Sequence, residues 1–481
     1  MLRLSWVQPE DLLGHELRQA RLDGREPSAV ETRWRAAGGP DAPRTAGSSA
    51  HRASRYLRLL AEDLLDELAD LPSRLADDEP TDLAAIKASC PDWPDARPDA
   101  RPDAGSATGS AVRSASPSAA PFAAPPSTAP ALLALEAAWL GRAAGCLLGR
   151  PVKTLPLDGV RALARATGNR QLSTWFTAKG VSEELLAQYP WNHRAAATSL
   201  AENIDGMPED KALDRPLLGL LLLRRHGKSF TTADVARLWL EELPPGRTCA
   251  AERLAHRNLL CGIEPPHTAR HRNPFREWTG ALVRADVHGW TNPGDPAAAA
   301  EQAHRDAVLT HTANGVYAAM FTAAAIAAAA TGTYDVHACL RTGRTVVPAR
   351  SRLARAIDHA VRVAGEHGDF DKVVDELHAR YAATHHWLHA VPNSALITAA
   401  LTHADGDFTG SVCRAVSGGW DTGSNGATAG SVAGLLAGGP DALPAHWRAP
   451  LKNRLATTVA DFDGTGFDAL AHLTHLEATR P

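Results

Sequence analysis

Three glycines, Gly141, Gly145 and Gly149, recur at a spacing of four in the Ala/Leu-rich run that starts at Ala131. Four residues are close to one helical turn, so the three share one helix face, a strip without side chains where a second backbone can come close. That pattern points to helices packed on helices, and the rest of the chain agrees. Leucines at spacings of three and four in Glu10–Ala20 and Tyr56–Leu68 mark amphipathic helices. Thr231 is a hydroxyl cap before an apolar-periodic run, and Asp214 is a candidate cap for the helix carrying Leu217–Leu223. Asn292-Pro-Gly-Asp295-Pro296 supplies an N-cap and an N1 proline for a helix reaching about His311. Alternating β-type runs are scarce, Arg344–Val347 being the best. The expected fold is all-α: a compact multi-helix domain with a helical N-terminal extension.

The chain divides into three by composition. Residues 1–75 read as the helical extension. Between 76 and 130 lie the repeat Asp95-Ala-Arg-Pro-Asp-Ala-Arg-Pro-Asp-Ala and a Ser/Ala/Pro/Gly stretch. Such a segment buries too little apolar surface to offset its chain entropy, so a disordered linker is expected. Residues 131–481 read as globular throughout. Aromatic residues make up only 5%, so the core is built largely from Ala, Leu and Val. A net charge of -4 gives no argument for nucleic acid or for an anionic membrane. Six scattered cysteines without a CxxC pair suit a reducing cytoplasm. The N-terminus lacks a signal-peptide h-region, and the apolar runs Leu217–Leu223 and Ala318–Ala330 fall short of the ~20 residues of a membrane span. The expectation is a cytoplasmic protein without membrane or nucleic-acid partners.

Two segments carry candidate chemistry. The first is Ser417-Gly-Gly-Trp-Asp421-Thr-Gly-Ser-Asn425-Gly-Ala-Thr-Ala-Gly-Ser431, before an apolar helical stretch that stops at Gly438-Gly439-Pro440. Oxygen-rich loops at helix starts bind hard cations, phosphates or sugars, and Asp421, Thr422 and Ser424 are the candidates. The same residues also suit an ordinary Asx-type loop with Asn425 as N-cap. The second is Glu202–Pro216, with acids at 202, 205, 209, 210 and 214. Glu209 and Asp210 are candidate metal ligands or a general base, or acids that simply offset a helix dipole. Arg142 and the turn Gly149-Arg-Pro151 could border a ligand, but no strand precedes them and GxxxxGK[ST] is absent, so this is not a nucleotide fingerprint. His385, His386 and His389 lie close together, and His304 and His311 share a seven-residue spacing near Asp306. Without HExxH, these read as solvated or supporting histidines rather than zinc ligands.

Four blocks in this order resemble the ADP-ribosylglycohydrolase family: Leu140–Val152, the acidic turn Asn203–Asp214, Asp306–His311 with the alanine helix Ala318–Ala330, and Gly418-Gly-Trp-Asp-Thr. The resemblance covers about residues 131–475, and Trp6–Glu16 resembles the N-terminal extension of a bacterial subfamily. It implies a compact all-α fold with a binuclear Mg²⁺ or Mn²⁺ site, and hydrolysis of an N- or O-glycosidic bond at the ribose carbon of an ADP-ribosyl ligand. It further implies Asp210, Asp421 and Glu209 as catalytic positions, Asp421, Ser424 and Asp210 as metal ligands, and Arg142, Asn314, Gly419, Trp420 and Asn425 at the substrate. The departures bear on the metal. Gly423 stands where the family has a second Asp, Lys211 and Ala212 follow the acids of the first motif, and Cys146 replaces an acid. One weakly held Mg²⁺ or none is therefore expected, with the Lys211 ammonium a candidate stand-in for a cation. The leading expectation is a glycoside-cleaving enzyme acting on an ADP-ribose-containing small molecule or an ADP-ribosylated target, with altered metal dependence. The alternatives are an inactive ADP-ribose or nucleotide binder and a helical scaffold.

Overall fold

The glycine strip finds its partner near the other end of the chain. In the computed structural model, which describes residues 4–43, 49, 52–94 and 130–480, helix Leu132–Gly149 lies along helix Thr422–Ala437. A β-carbon on Gly141 or Gly145 would fall within 3.0 Å of the carbonyl oxygens of Gly430 and Gly426, and Gly426 and Gly430 meet the carbonyls of Gly145 and Gly141 in return. Backbone touches backbone along this seam. Both helices are buried nearly all round, as are Ala313–Ala329 and Ala390–His403, which is why they show no single apolar stripe. Leu135, Leu147 and Leu148 are fully buried, each worth roughly 2 kcal/mol. Among the described residues Leu132–Gly149 is also the one helix long and apolar enough to cross a membrane, and 83% of it is covered inside the fold.

The described residues form 22 α-helices and no strand; the best β-type run, Arg344–Val347, closes helix Val336–Arg344 and turns. Thr231 caps Thr232–Glu242 in a reciprocal box with Asp234, and Asp295 caps Pro296–Ala307 with proline at the first position. That helix ends at Ala307, so His311 lies beyond it. Two expected caps move. Asp210, extended at φ -153, caps helix Lys211–His226 by accepting from Ala212 N, while Asp214 sits buried inside the first turn. Asp421 holds the N-cap position of Thr422–Ala437, which puts Asn425 inside that helix.

Asp214 accepts from the Thr457 hydroxyl. Burial pushes its carboxyl up to about 6, against the hydrogen bond from Thr457. The charged form is therefore disfavoured by folding, and stability is lost as pH rises from the unfolded value near 4 through 6. Asp214→Asn should be more stable than the parent by about 3 kcal/mol above pH 6 and equal to it near pH 3. Urea denaturation of both proteins at pH 4 and 7.5 checks this; a pH-independent difference would count against it.

The N-terminal helices Pro9–Leu22, Ser28–Ala36 and Arg55–Asp70 form a second apolar cluster with Ala250, Ala251, Leu254, Phe275, Trp278 and Leu388. Ion pairs fasten the same face: Arg276 to Glu16 and Asp23, and Arg272 to Glu62 and Asp66. Residues 76–94, assigned to the linker by composition, are packed: Ile86 is fully buried and Glu79 joins a buried ionic network. Their few apolar and charged anchors are enough because receiving sites exist on the helical domain, which composition alone does not show. Residues 95–129 of the expected linker lie outside the described residues.

Candidate functional site

Asp421 stands where helix Phe408–Ser417 gives way to Thr422–Ala437 within four residues. So tight a reversal needs left-handed backbone: Gly419 has φ +79 and Trp420 φ +54. For tryptophan that conformation is strained. It is held by stacking on His378 at 4.2 Å, whose Nε2 donates to Gly418 O. Thr422 Oγ1 donates to Gly149 O at 2.7 Å, locking the turn onto the end of the glycine helix.

The Asp421 side chain is completely buried. Its Oδ2 accepts from Thr279 Oγ1 at 3.0 Å, its Oδ1 lies 3.3 Å from Lys153 Nζ, and its N–H donates to Asn393 Oδ1. Asn393 also accepts from Asn425 Nδ2 and donates to the carbonyls of Trp387 and His389, so one amide sets the position of the whole turn. Burial acts to raise the Asp421 carboxyl, but Lys153 and Lys211 outweigh it and hold it at about 2.

Asp210 comes to the same centre from the other side. Arg150, directly after the glycine helix, donates to Asp210 Oδ2 at 2.7 Å and to Glu209 O at 2.7 Å. Burial raises the Asp210 carboxyl, while Lys153, Arg150 and Lys211 bring it below the usual range. Lys211 Nζ lies 3.8 Å from Cys249 Sγ, and Cys249, then Asp421, Glu252 and Asp210, hold its ammonium charged against burial. The centre thus pairs two carboxylates with three cations at the N-termini of two helices. The Asp210 and Lys153 side chains keep 18% and 20% of their surface open and Asp421 keeps none, so Asp210 and Lys153 form the solvent edge.

The donor set does not suit a pair of hard divalent ions. Each Mg²⁺ needs about six oxygen ligands, carboxylates among them. Here both carboxylates are engaged by ammonium or guanidinium groups, and among the described residues no three His, Cys, Asp or Glu side chains gather as ligands. The buried Ser424 hydroxyl, an expected ligand, lies beside the Asp421 carboxylate and helps to hold it charged. Cys146, at the position of a missing acid, is buried, which keeps its thiol protonated.

Other expected site residues fall elsewhere. Glu209 points outward, its carboxylate paired with the exposed Arg247. Arg142 does not border a ligand: fully buried, it pairs with Asp286 and donates to the carbonyls of Ala212 and Val283. Ala212 O needs that donor because Pro216, four residues on, has no N–H to give. Asn314 is also internal. It donates to Glu79 and Glu277 and accepts from Leu353 N, inside a network with Arg352, Gln19 and His389. The Trp420 ring is mostly buried against His378. His386 stacks on Trp278 at 4.2 Å and His389 caps Ala390–His403, which are structural roles.

Sequence reasoning placed Arg150 in a turn that could border a ligand and missed Lys153, Thr279 and Asn393. Lys153 was visible as a basic residue four positions past the glycine helix. Asn393 is a lone amide in an apolar helix. Thr279 carries no local signal.

A family model described as ADP-ribosylglycohydrolase matches residues 128–480. Among solved structures, one described as an "ADP-ribosylglycohydrolase-related protein complex" is similar at 20% identity, covering 72% of this chain and 99% of that one with a TM-score of 0.47. No curated protein matches.

Proposed function

The chain belongs to the ADP-ribosylglycohydrolase family, and from that premise we propose that it cleaves the glycosidic bond of an ADP-ribosyl or related ribosyl-nucleotide ligand without the pair of divalent ions that the family resemblance implies. The observation that carries this reading is the charged Asp210 carboxylate at the solvent edge of a centre rich in cations. Glycoside hydrolysis passes through an oxocarbenium-like transition state that a nearby carboxylate stabilises. Asp210 supplies that negative charge. Arg150, Lys153 and the two helix N-termini favour the anionic and hydroxylated parts of the ligand. Asp421, behind them, positions Lys153.

A specific observation favours a second reading, recognition without cleavage. Asp210 and Asp421 both titrate below the usual carboxylate range and Lys211 above the usual lysine range, so none of the three exchanges a proton near neutrality. The two readings part in one experiment on the full chain in EDTA. Chromatography follows release of free ADP-ribose from N- and O-linked ADP-ribosyl compounds, and calorimetry follows binding of ADP-ribose. Release that falls by about 100-fold in Asp210→Asn supports the enzyme. Binding with no release supports the second reading. Equal release by the parent and Asp210→Asn would remove Asp210 from the chemistry.

A further inference from the structure

The misfit between the donor set and a metal pair has a positive counterpart in the lysines. Lys153 Nζ lies 3.3 Å from the buried Asp421 Oδ1. Asp210 is engaged by Arg150. Lys211 begins the helix that Asp210 caps, its Nζ 3.8 Å from Cys249 Sγ. A buried carboxylate demands a counter-charge; here side chains supply it. Lys153 follows the glycine helix, so the seam that brings Asp421 to Gly149 also brings its ammonium group to Asp421.

We propose that Lys153, supported by Lys211 next to Asp210 in the chain, is the built-in counter-cation of the Asp210–Asp421 centre, which therefore keeps its geometry without a divalent ion and excludes one by charge. The inference rests on the glycohydrolase reading only for where a metal would otherwise be expected. The oxygens gathered at Asp421 are those a hard cation prefers: its own carboxylate, the Thr279 hydroxyl that donates to it and the buried Ser424 hydroxyl beside it. Waters would complete the shell of a single hard ion placed there. Removing the lysines thus turns an ammonium site into a cation site.

The test reads Mn²⁺ directly, with no substrate, so it stands or falls separately from glycoside cleavage. Calorimetric titration and the electron paramagnetic resonance signal of free Mn²⁺ are followed for the parent, Lys153→Ala and Lys153→Ala/Lys211→Ala. Thermal melting is recorded in EDTA and in millimolar MnCl₂. The parent should bind no stoichiometric Mn²⁺ and melt identically in both buffers. The double variant should bind one Mn²⁺ at least about tenfold more tightly than the parent and regain melting temperature when Mn²⁺ is added. Lys153→Ala, whose side chain is partly exposed, gives the same reading at smaller amplitude and serves if the double variant does not fold. Stoichiometric Mn²⁺ binding by the parent overturns the proposal, and so does a folded variant with no gain in Mn²⁺ affinity.

Discussion

Alanine at Gly145 is expected to leave no stably folded protein. The added methyl would fall within 3.0 Å of Gly426 O and C, both backbone atoms of a helix that is itself buried. A flexible side chain can swing away from a new methyl, but a helix backbone cannot move without opening the seam along its length. Ordinary overpacking costs about 1–3 kcal/mol. Prying apart two central helices adds lost contacts at Gly141, Gly430 and Gly434, and approaches the 5–15 kcal/mol that holds a typical domain together. The control is Gly365, whose β-carbon would meet nothing within 4 Å in helix Arg352–Glu366. Gly365→Ala should stabilise by up to about 1 kcal/mol through helix propensity alone. Circular dichroism melting of both variants checks the pair, and a Gly145→Ala protein that melts with the parent would show that the seam yields.

Arg142→Ala should cost at least about 5 kcal/mol. The substitution leaves the fully buried Asp286 without its counter-ion, a defect worth about 3–5 kcal/mol. It also strips the donor from Ala212 O, which Pro216 cannot replace, and from Val283 O, adding about 1–3 kcal/mol for each carbonyl left dry. Apolar replacement of both charges, Arg142→Met with Asp286→Leu, should recover part of the loss because no buried ion remains. Urea denaturation of the single and double variants separates the terms. A double variant no more stable than Arg142→Ala would mean that the ion pair is not the source of the loss.

The helical class and the close approach along Gly141–Gly145–Gly149 were legible because each is a local pattern with one geometric solution. Asp421 and Asp210 were legible as members of oxygen-rich helix starts. What stayed hidden depends on partners far along the chain. Arg142 looks like a ligand-facing arginine until Pro216, on another helix, leaves a carbonyl that needs it. Asn314 looks available until Glu79 and Glu277 take its amide. Glu209 and Asp210 are adjacent and chemically alike, yet the backbone turns one toward Arg247 and the other toward Arg150; nothing in the pair itself says which. Residues 76–94 read as linker because their composition is poor, but a few anchors suffice when a surface exists to receive them.

The seam between Leu132–Gly149 and Thr422–Ala437 also sets an order of events. Ribosomes make the first helix early and its covering partner about 290 residues later. At about 5–20 residues per second, that interval is roughly 15 to 60 seconds. During it, an 18-residue apolar helix with a bare glycine face waits on the nascent chain without the surface that buries it. Arg150 and Lys153 wait with it for Asp210 and Asp421. Completion of the candidate site is therefore a late step in the life of each molecule.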